Sequence, residues 1–303
     1  MDATYVLITP ARNEQDYIRN AIESIICQTI LPARWVIVSD GSTDGTDEVV
    51  REYALRYPFI ELVCLHERAK RTFASQAYAT NAGYETVRHM KADFIGLLDA
   101  DISLPPDYYE RILERFKQYP QLGIAGGVLL EKIRGRYGRR FGDSDLWVAG
   151  AIQMFRRKCY EDIGGFTPLP YGGHDAVAVA VARSKGWEVK SFPDLEGFHH
   201  RPTGSVGANR VRICFRNGAE DYYLGYDLLF EMGKSLRYVA ERPYILGTFL
   251  RLSGYLWQVM TASGHALPKD LIRTVRRQKW SGVIDKIRMK TGMTSRVYSE
   301  RRY

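Results

Sequence analysis

The chain contains 303 residues, of which 45% are hydrophobic and 26% are charged, and its formal net charge at pH 7 is +8. This length allows one large α/β domain or two smaller ones with a substantial core, and the composition is ordinary for a soluble globular protein. The positive charge is concentrated in residues 266–303, which contain eleven Lys or Arg and three Asp or Glu. The rest of the chain is close to neutral, which argues against a basic nucleic-acid-binding surface there.

The N-terminus and the cysteines both predict a cytosolic chain. Residues 1–4 lack the basic and apolar pattern of a signal peptide and lead directly into a predicted strand. The cysteines are far apart and form no Cys-x-x-Cys pair; they are Cys27, Cys64, Cys159 and Cys214. We expect reduced core residues rather than disulfide partners or metal ligands.

The first hundred residues alternate between predicted strands and predicted helices. The strands are apolar runs rich in β-branched residues, and they cover residues 5–9, 35–39, 59–65 and 94–98. Two helices are predicted to begin near residues 16 and 47, and a third is predicted to cover residues 73–89. This alternation predicts right-handed βαβ units and a parallel sheet.

The pattern changes after residue 101. Helices are predicted at residues 108–119 and 175–186, and strands at 124–130, 149–155 and 187–192. A basic segment at 135–142 and a glycine turn at 164–166 separate some of these elements. The sequence contains no internal repeat and no low-complexity tract.

Two carboxylates one residue apart follow the fourth predicted strand. Asp99 and Asp101 would lie at its carboxyl end, where open α/β sheets bind ligands. Side chains two residues apart in an extended chain point the same way. Paired oxygen ligands of this kind suit Mg²⁺ or Mn²⁺ held against a diphosphate. The competing interpretation is a solvated turn, because Asp is common in turns and Pro105 and Pro106 follow closely.

Several motifs surround these carboxylates. In chain order they are TPARNE (9–14), SDGSTDGT (39–46), NAG (81–83) and DAD (99–101). Their order and approximate spacing resemble the nucleotide-binding half of family 2 glycosyltransferases with the GT-A fold. The resemblance continues through GGF (164–166), HD (174–175) and HHRPTG (199–204), and it covers residues 4 to about 205.

The resemblance implies an α/β protein with the GT-A fold, in which a Rossmann-like, mostly parallel sheet is flanked by helices. We predict a catalytic domain at 1–215, with a nucleotide-binding half at 1–101 and an acceptor half at 102–215. A helical, basic C-terminal region is predicted at 216–303, possibly associated with a membrane surface.

Asp40 is the main candidate for recognising the base of a nucleotide. It ends the second predicted strand, where a carboxylate can accept a hydrogen bond from the ring N–H of a base. The matching residue of the family contacts uracil. The alternative is that Asp40 caps the following turn, which is a common use of Asp.

The resemblance places further residues around the donor. They are Pro10 and Ala11, whose backbone would line the base, Arg12, and Glu14 near the ribose. Arg71 could contact the diphosphate, although Arg68 and Lys70 are close enough in sequence to do so instead.

By the same resemblance, Asp101 would be a direct ligand of Mn²⁺ or Mg²⁺, and Asp99 would lie nearer the ribose or a metal-bound water. His199 or His200 would supply a further metal ligand, since two adjacent histidines do not easily face the same ion. Arg201 would contact the diphosphate, because guanidinium matches phosphate oxygens in geometry.

Asp175 is the candidate catalytic base. Transfer with inversion needs a carboxylate that removes the proton of the acceptor hydroxyl as it attacks the anomeric carbon. The family usually has Glu-Asp here, whereas this chain has His174 and Asp175, so the role of the first residue is in doubt. An Asp at the start of a helix is also a good cap. The acceptor site is expected to contain Asp145, Trp147 and His174.

The C-terminal region predicts contact with a membrane surface. Residues 243–260 are apolar and aromatic but contain Arg251, and they are shorter than the roughly 20 residues of a full span. An interfacial or re-entrant helix pair is therefore predicted. Residues 267–287 continue an apolar stripe with Lys and Arg on other faces, which is typical of a basic amphipathic helix. The alternative is a helix that packs on the protein and exposes a basic face.

Together these features predict a metal-dependent, inverting glycosyltransferase that uses a nucleotide sugar, and the match of Asp40 to the uracil-contacting residue of the family favours a UDP-sugar. Its acceptor would be a lipid-linked or cell-surface glycan at the cytoplasmic face of the membrane. The alternatives are a nucleotidyltransferase acting on a sugar phosphate and a basic nucleic-acid-binding protein. The sugar, the acceptor linkage and the oligomeric state are not determined by the sequence.

Overall fold

The computed structural model describes residues 3–65, 74–133, 136–139, 148–201, 210–239, 243–262, 264–265 and 267–290. The chain divides into two compact units, residues 1–208 and 209–303. The predicted domain boundary at 215/216 therefore falls inside the second unit, within its first helix.

Four parallel strands form the first half of the sheet. They are β1 Tyr5–Ala11, β2 Arg34–Asp40, β3 Ile60–Leu65 and β4 Phe94–Leu97. Their order across the sheet is β3-β2-β1-β4, and Leu7 of β1 pairs with Trp35 of β2 and Gly96 of β4. Apart from their ends, all four coincide with the predicted strands.

Helices cover both faces of these strands. They are α1 Ile18–Ile26, α2 Thr46–Ala54 and α3 Ala74–Val87. Alternate residues of β1 serve two cores: Leu7 packs with Ile22 of α1, and Ile8 belongs to the core that contains Ala77 of α3. Gly83 lets α3 approach closely, since a Cβ there would lie 2.7 Å from Cγ2 of Ile8. Burial on both faces is what a parallel sheet requires.

The second half of the first unit completes the sheet. Its strands are β5 Ile102–Ser103, β6 Leu122–Ile133, β7 Arg136–Arg139, β8 Met154–Arg156 and β9 Glu188–His199. Its helices are α4 Tyr108–Gln118, a 3₁₀ turn at Gly150–Ile152, α5 Arg157–Ile163 and α6 His174–Ser184. The sheet continues from β4 in the order β8-β6-β9-β5, and β7 pairs with β6.

The predicted α/β class is confirmed, with a refinement in this half. β8 lies antiparallel between β4 and β6, and β6 runs parallel to β9, so the sheet is mixed beyond β4. The alternation of strands and helices that predicts parallel pairing holds only as far as β4. The strand predicted at 149–155 begins as the 3₁₀ turn, and the strand predicted at 187–192 extends to residue 199.

The second unit is helical among its described residues. Its helices are α7 Arg210–Tyr223, α8 Leu228–Arg237, α9 Ile245–Thr261 and α10 Lys269–Lys290. The prediction of a helix pair over 243–260 is wrong, because this segment forms the single helix α9. Arg251 does not interrupt α9, since its buried side chain pairs with Asp221 of α7 and Glu231 of α8. Within the described ranges, no helix is long and apolar enough to cross a membrane.

Helix α10 packs within the second unit along its apolar stripe. Ile272 and Val275 are buried, and Nε1 of Trp280 donates to Oδ2 of Asp227 at 2.8 Å. Arg273 and Arg277 are exposed. The predicted amphipathic pattern therefore corresponds to a helix that buries its apolar side in its own unit.

All four cysteines are free. The prediction that they are core residues holds for Cys159, which is buried, but is wrong for Cys27 and Cys64, which are exposed. Cys214 is partly buried. Burial raises the pKa of the Cys159 thiol to about 12.

Candidate active site

The carboxyl ends of β1, β2 and β4 bring the main candidate residues to one edge of the sheet. Ala11 pairs with Ser39, next to Asp40, while Ile8 pairs with Leu97, just before the carboxylate pair. The backbone N–H of Asp99 donates to the carbonyl of Ala151 at 2.9 Å, which fixes this turn against the 3₁₀ turn. The edge is where parallel sheets bind ligands.

Two loops at this edge are bound firmly to each other. Asn13 has a φ of 55°, a left-handed conformation that Asn tolerates better than most residues. Its Oδ1 accepts a hydrogen bond from the N–H of Thr43 at 2.8 Å. The N–H of Glu14 donates to Oγ1 of Thr46 at 2.8 Å, and the N–H of Gly45 donates to the side chain of Gln15 at 2.7 Å. The loops after β1 and β2 therefore form one rigid rim.

Asp40 lies at this rim with its carboxylate almost entirely buried. It has 5% of its surface exposed, and Nη1 of Arg12 lies 3.5 Å from its Oδ2. Pro10 and Ala11 are adjacent at the end of β1, where Ala11 is buried and Pro10 is partly buried. The structure thus brings the predicted base-binding residues Asp40, Pro10, Ala11 and Arg12 into one corner.

Asp101 is the centre of a buried charge cluster. Its Oδ2 lies 3.3 Å from Nε2 of His199 and accepts hydrogen bonds from Nε and Nη2 of Arg201 at 3.0 and 2.8 Å. Nη2 of Arg201 also donates to Oε1 of Glu14 at 2.7 Å. Burial alone would raise the pKa of Asp101, but the hydrogen bonds and positive charges of His199 and Arg201 outweigh it and hold the pKa below its usual value.

The two adjacent histidines point to different partners. Nδ1 of His199 lies 3.5 Å from Oε1 of Glu131, so this ring lies between Glu131 and Asp101. Nε2 of His200 instead lies 2.9 Å from Oγ of Ser103. Successive side chains at the end of a strand point to opposite faces, which separates the two rings. Of the two predicted ligands, His199 is therefore the one beside the Asp101 carboxylate.

Asp99 lies in a different environment from Asp101. Its Oδ1 accepts a hydrogen bond from Nε2 of Gln76 at 2.9 Å. Burial first, and then the negative charge of Asp101, raise the pKa of Asp99 to about 7. Glu14 and Asp175 add smaller contributions of the same sign. His199 opposes these effects, and the carboxylates at this edge therefore lie close enough to influence the ionisation of Asp99.

This raised pKa predicts a pH-dependent effect of Asp99→Asn on stability in the presence of a chelator. A raised folded-state pKa gives stability that is complete at low pH and is lost as the pH rises through the folded value. A rise in pH from about 5 to about 7, which lies between the unfolded and the folded pKa of Asp99, should therefore destabilise the wild type, and asparagine cannot ionise. The unfolding free energy of the variant relative to the wild type should rise over this range in urea titrations.

Asp194→Asn is the matched control. Asp194 pairs with Arg111 and Arg115 at 2.7 and 2.8 Å, and these contacts keep its pKa below the usual value. Its ionisation is complete over the same range, so its stability difference should not change with pH. A stability difference for Asp99→Asn that is equally flat would contradict the raised pKa.

Glycines surround Asp175, both before it in the chain and beside its carboxylate. It is the second residue of α6, which follows Gly172 and Gly173, both with positive φ. A Cβ on Gly150 would lie 2.8 Å from Oδ2 of Asp175, so a glycine there leaves room for this carboxylate. The same 3₁₀ turn accepts the N–H of Asp99 through Ala151. Asp175 and the carboxylate pair thus belong to one site.

His174, which the sequence predicts as an acceptor contact, is the first residue of α6. It is buried, with its ring centroid 5.0 Å from that of Phe166, and burial lowers its pKa. Asn81 fixes the backbone of Phe166 through two hydrogen bonds of 2.8 and 3.0 Å. We therefore interpret His174 as a packing residue beneath Asp175. Three predicted site residues, Arg71, Asp145 and Trp147, lie outside the described residues.

Sequence reasoning missed Gln76 and Glu131, which contact Asp99 and His199. Gln76 is the third residue of α3, and its position at a helix end facing the sheet edge was the available signal. Glu131 lies in β6, just beyond the strand predicted at 124–130, and carried no signal, because only the pairing of β6 with β9 brings it to His199. The sequence also provided no indication that Arg201 contacts both Asp101 and Glu14.

The residues present fit a divalent cation that shares its coordination with a ligand. In the described part of the chain, no group of three or more His, Cys, Asp or Glu side chains could hold a metal alone. Asp101 and His199 nevertheless supply a carboxylate oxygen and an imidazole nitrogen side by side. Mg²⁺ typically takes one or two carboxylates and completes its shell with water and substrate phosphates, and Mn²⁺ accepts similar oxygen ligands.

Comparison with known families gives one match that covers more than half of the chain. The family model described as "Glycosyl transferase family 2" matches residues 6–167. This range contains Asp40, Asp99 and Asp101 and ends before Asp175.

Curated relatives are distant and often longer. The chain is 33% identical over 107 residues to "Uncharacterized glycosyltransferase YibD" of Escherichia coli, which is 35% of this chain and 28% of that protein. It is 24% identical over 226 residues to "Glycosyltransferase AglE" of Haloferax volcanii, and the alignment covers 68% of this chain and 70% of that protein. It is 28% identical over 268 residues to "Poly-beta-1,6-N-acetyl-D-glucosamine synthase" of Staphylococcus aureus, covering 81% and 60%. The chain thus spans well under two thirds of several relatives.

Solved structures share the fold at low identity. One is the crystal structure of S. aureus TarS 1–349 with UDP, with a TM-score of 0.52, 12% identity, and coverage of 86% of this chain and 72% of that one. Another is the mannosyltransferase PcManGT of Pyrobaculum calidifontis with GDP-Man and Mn²⁺, with a TM-score of 0.55 and 16% identity, covering 97% and 80%.

Proposed function

We propose, from the premise that this chain belongs to glycosyl transferase family 2, that it transfers a sugar from a UDP-sugar to an acceptor hydroxyl, with inversion at the anomeric carbon and release of UDP. The chain is a glycosyltransferase with the GT-A fold, as its family and the structures it resembles establish. The donor nucleotide, the need for a divalent cation and the acceptor are the proposed parts. The observation that carries them is the convergence of Asp40, Asp101 and Asp175 on one edge of the sheet.

Asp40 would recognise the base of the donor. Its buried carboxylate can accept the ring N–H of uracil, and Pro10 and Ala11 would flank the ring. A buried acceptor discriminates strongly, because a base that does not donate would leave the carboxylate unpaired. Support comes from TarS, whose structure contains UDP, while PcManGT contains GDP-Man and makes guanine the main competing base.

Asp101 and His199 would hold Mn²⁺ or Mg²⁺ beside the donor diphosphate. A bound divalent cation offsets the negative charge that builds on the leaving nucleoside diphosphate. The guanidinium of Arg201 donates hydrogen bonds to both Asp101 and Glu14. When a cation binds Asp101, Arg201 would turn to contact the diphosphate instead. Asp99, fixed by Gln76, would lie nearer the ribose. Arg71 remains a predicted diphosphate contact.

Asp175 would act as the catalytic base. Its carboxylate accepts the proton of the acceptor hydroxyl, the acceptor oxygen bonds to the anomeric carbon, and the bond from that carbon to the diphosphate oxygen breaks. The product would have the opposite anomeric configuration to the donor. Asp145 and Trp147 remain predicted acceptor residues.

The acceptor would be a lipid-linked or cell-surface glycan, at the cytoplasmic face of the membrane. Support comes from "Glucosyl-dolichyl phosphate glucuronosyltransferase" of Haloferax volcanii, which is 23% identical over 280 residues, covering 90% of this chain and 83% of that protein. The two alternatives, a nucleotidyltransferase and a nucleic-acid-binding protein, find no support in the family match.

A nucleotide screen tests the donor and the cation together. UDP with Mn²⁺ should raise the melting temperature more than UDP with a chelator, and more than GDP with Mn²⁺. A ligand at 100 times its dissociation constant adds about 2.7 kcal/mol to the free energy of unfolding, which is readily measured. A parallel panel of nucleotide sugars should show UDP release from one of them.

Two results would contradict the proposal. An equal rise in melting temperature with UDP in the presence and absence of divalent cations would contradict the proposed metal dependence. Consumption of a sugar 1-phosphate and a nucleoside triphosphate, without release of UDP from any nucleotide sugar, would indicate a nucleotidyltransferase.

A further inference from the structure

Helix α9 buries its polar side and exposes its apolar side. Its buried residues include Thr248, Arg251 and Gln258, together with two glycines and Tyr255. Its exposed residues include Ile245, Phe249, Leu256, Trp257 and Met260, with exposed fractions between 42% and 73%. In water a surface helix does the reverse, because exposed apolar side chains gain nothing and buried polar ones must be paired.

A polar network inside the second unit makes this arrangement possible. The guanidinium of Arg251 donates to Asp221 of α7, and its Nε lies 3.2 Å from Oε1 of Glu231 of α8. Lys234 donates to Asp221 at 2.7 Å, and Ser235 donates to Glu231 at 2.8 Å. Charged hydrogen bonds therefore join α7, α8 and α9.

Glycines bring α7 and α9 into close contact. A Cβ on Gly218 would lie 1.8 Å from the carbonyl oxygen of Arg251, and a Cβ on Gly254 would lie 1.9 Å from that of Phe215. Small residues at the crossing and polar groups between helices are how helices associate where the surrounding medium is lipid. The second unit shows both features.

Helix α8 also exposes apolar side chains. Leu229 and Leu236 are seven residues apart, hence on one side of the helix, and are 70% and 63% exposed. We call Leu229, Leu236, Ile245, Phe249, Trp257 and Met260 the α8–α9 apolar face. An apolar surface of this kind on a monomer marks an interaction site.

The exposed charges of this unit are mainly positive among its described residues. Arg237 at the end of α8 is exposed, as are Lys269, Arg273 and Arg277 of α10. Among the residues of this unit whose exposure is described, Asp270 is the one exposed acid, because Asp221 and Glu231 are buried. A partner that is both apolar and negatively charged therefore complements this unit. A second copy of the chain would instead bring positive charges together.

We propose that the α8–α9 apolar face inserts into the headgroup–acyl boundary of an anionic bilayer, with the helices lying in the plane of the membrane. Interfacial helices bind through buried apolar area and attraction to anionic lipids. Trp257 is exposed and suited to the headgroup level. This proposal is independent of the proposed donor and catalytic mechanism.

The proposed membrane contact is not an electrostatic attachment of the basic residues of α10 alone. Nε of Arg276 donates to the carbonyl of Gly225 at 2.7 Å, and Trp280 donates to Asp227, so both belong to the interior of the unit. The membrane contact is carried by the apolar face, while the exposed basic residues strengthen it.

The test uses the full chain and vesicles of phosphatidylcholine with and without phosphatidylglycerol. The wild type should co-sediment with the anionic vesicles. The triple variant Ile245→Ser, Phe249→Ser, Trp257→Ser should bind at least about 10-fold more weakly, since each position buries apolar area in the bilayer. Leu55→Ser is the matched control, because Leu55 is 88% exposed on the first unit. It should bind as the wild type does.

A second measurement begins with the wild type and adds one conservative variant. Bromine-labelled acyl chains should quench tryptophan fluorescence of the wild type, and Trp257→Phe should lose most of the quenched signal. Unchanged vesicle binding by the triple variant, or no quenching by the labelled lipids, would overturn the proposal. A wild type that is dimeric in solution, and a triple variant that is monomeric with no change in vesicle binding, would assign the face to a second copy instead.

Discussion

Asp175→Asn should lower the rate of sugar transfer by about 10²- to 10⁴-fold, which is the usual contribution of a positioned general base. Asparagine retains the shape of the side chain beside Gly150 but cannot accept the acceptor proton. The affinity for UDP with Mn²⁺ should stay close to that of the wild type, because in the proposed site Asp40 would hold the base and Asp101 and His199 would hold the cation beside the diphosphate. Transfer rates and UDP titrations on the same preparation measure the two effects separately.

Asp270→Asn is the matched control for this variant. Asp270 is the second residue of α10, as Asp175 is of α6, so both carboxylates interact with the start of a helix in the same way. The control removes that electrostatic effect without touching the site, and transfer should be unaffected. A large loss of UDP affinity in Asp175→Asn would show that Asp175 binds the donor. A product with the same anomeric configuration as the donor would exclude direct displacement.

The first half of the fold could be predicted from the sequence because its signals are local. The strands β1 to β4 are apolar runs of the length of a buried strand, and the motifs at residues 40 and 99–101 follow two of them directly. Parallel strands end at the same edge, so the prediction that Asp40 and Asp101 meet needs no knowledge of side-chain packing.

The second half could not be predicted to the same extent because its pairing is long-range. β8 has three residues, and its antiparallel place between β4 and β6 depends on contacts far apart in sequence. Local periodicity contains no such information. The same reason explains why Glu131 was missed, since it reaches His199 only through the pairing of β6 with β9.

The orientation of individual side chains was also beyond the sequence. The motif at residues 199–201 predicts a ligand and a phosphate contact, but not that His199 faces Asp101 while His200 faces Ser103. The C-terminal region shows the same limit more clearly. Residues 243–260 are visibly apolar, yet the burial of Arg251 follows from Asp221 and Glu231, which are 30 and 20 residues away.

Asp101→Asn should abolish the divalent-dependent stabilisation by UDP and reduce transfer below detection, while leaving the fold intact. Asparagine keeps the size of the side chain and an oxygen acceptor, but its neutral amide is a much poorer ligand for Mg²⁺ or Mn²⁺ than a carboxylate. Arg201 retains its hydrogen bond to Glu14, so the site is not left with an unpaired guanidinium. Melting curves with UDP, with and without Mn²⁺, measure the first effect.

Asp194→Asn again supplies the control for Asp101→Asn, because Asp194 is also a carboxylate held by arginine in the first unit but lies at Arg111 and Arg115 rather than beside His199. This control should retain the full Mn²⁺-dependent response to UDP. Loss of transfer in Asp101→Asn with the Mn²⁺ response intact would show that Asp101 acts on the donor without holding the metal. Full activity of the wild type in excess chelator would contradict the whole metal assignment, because neither Asp101 nor His199 would then bind a catalytic cation. The hydrogen bond from Arg201 to Asp101 would in that case persist during catalysis.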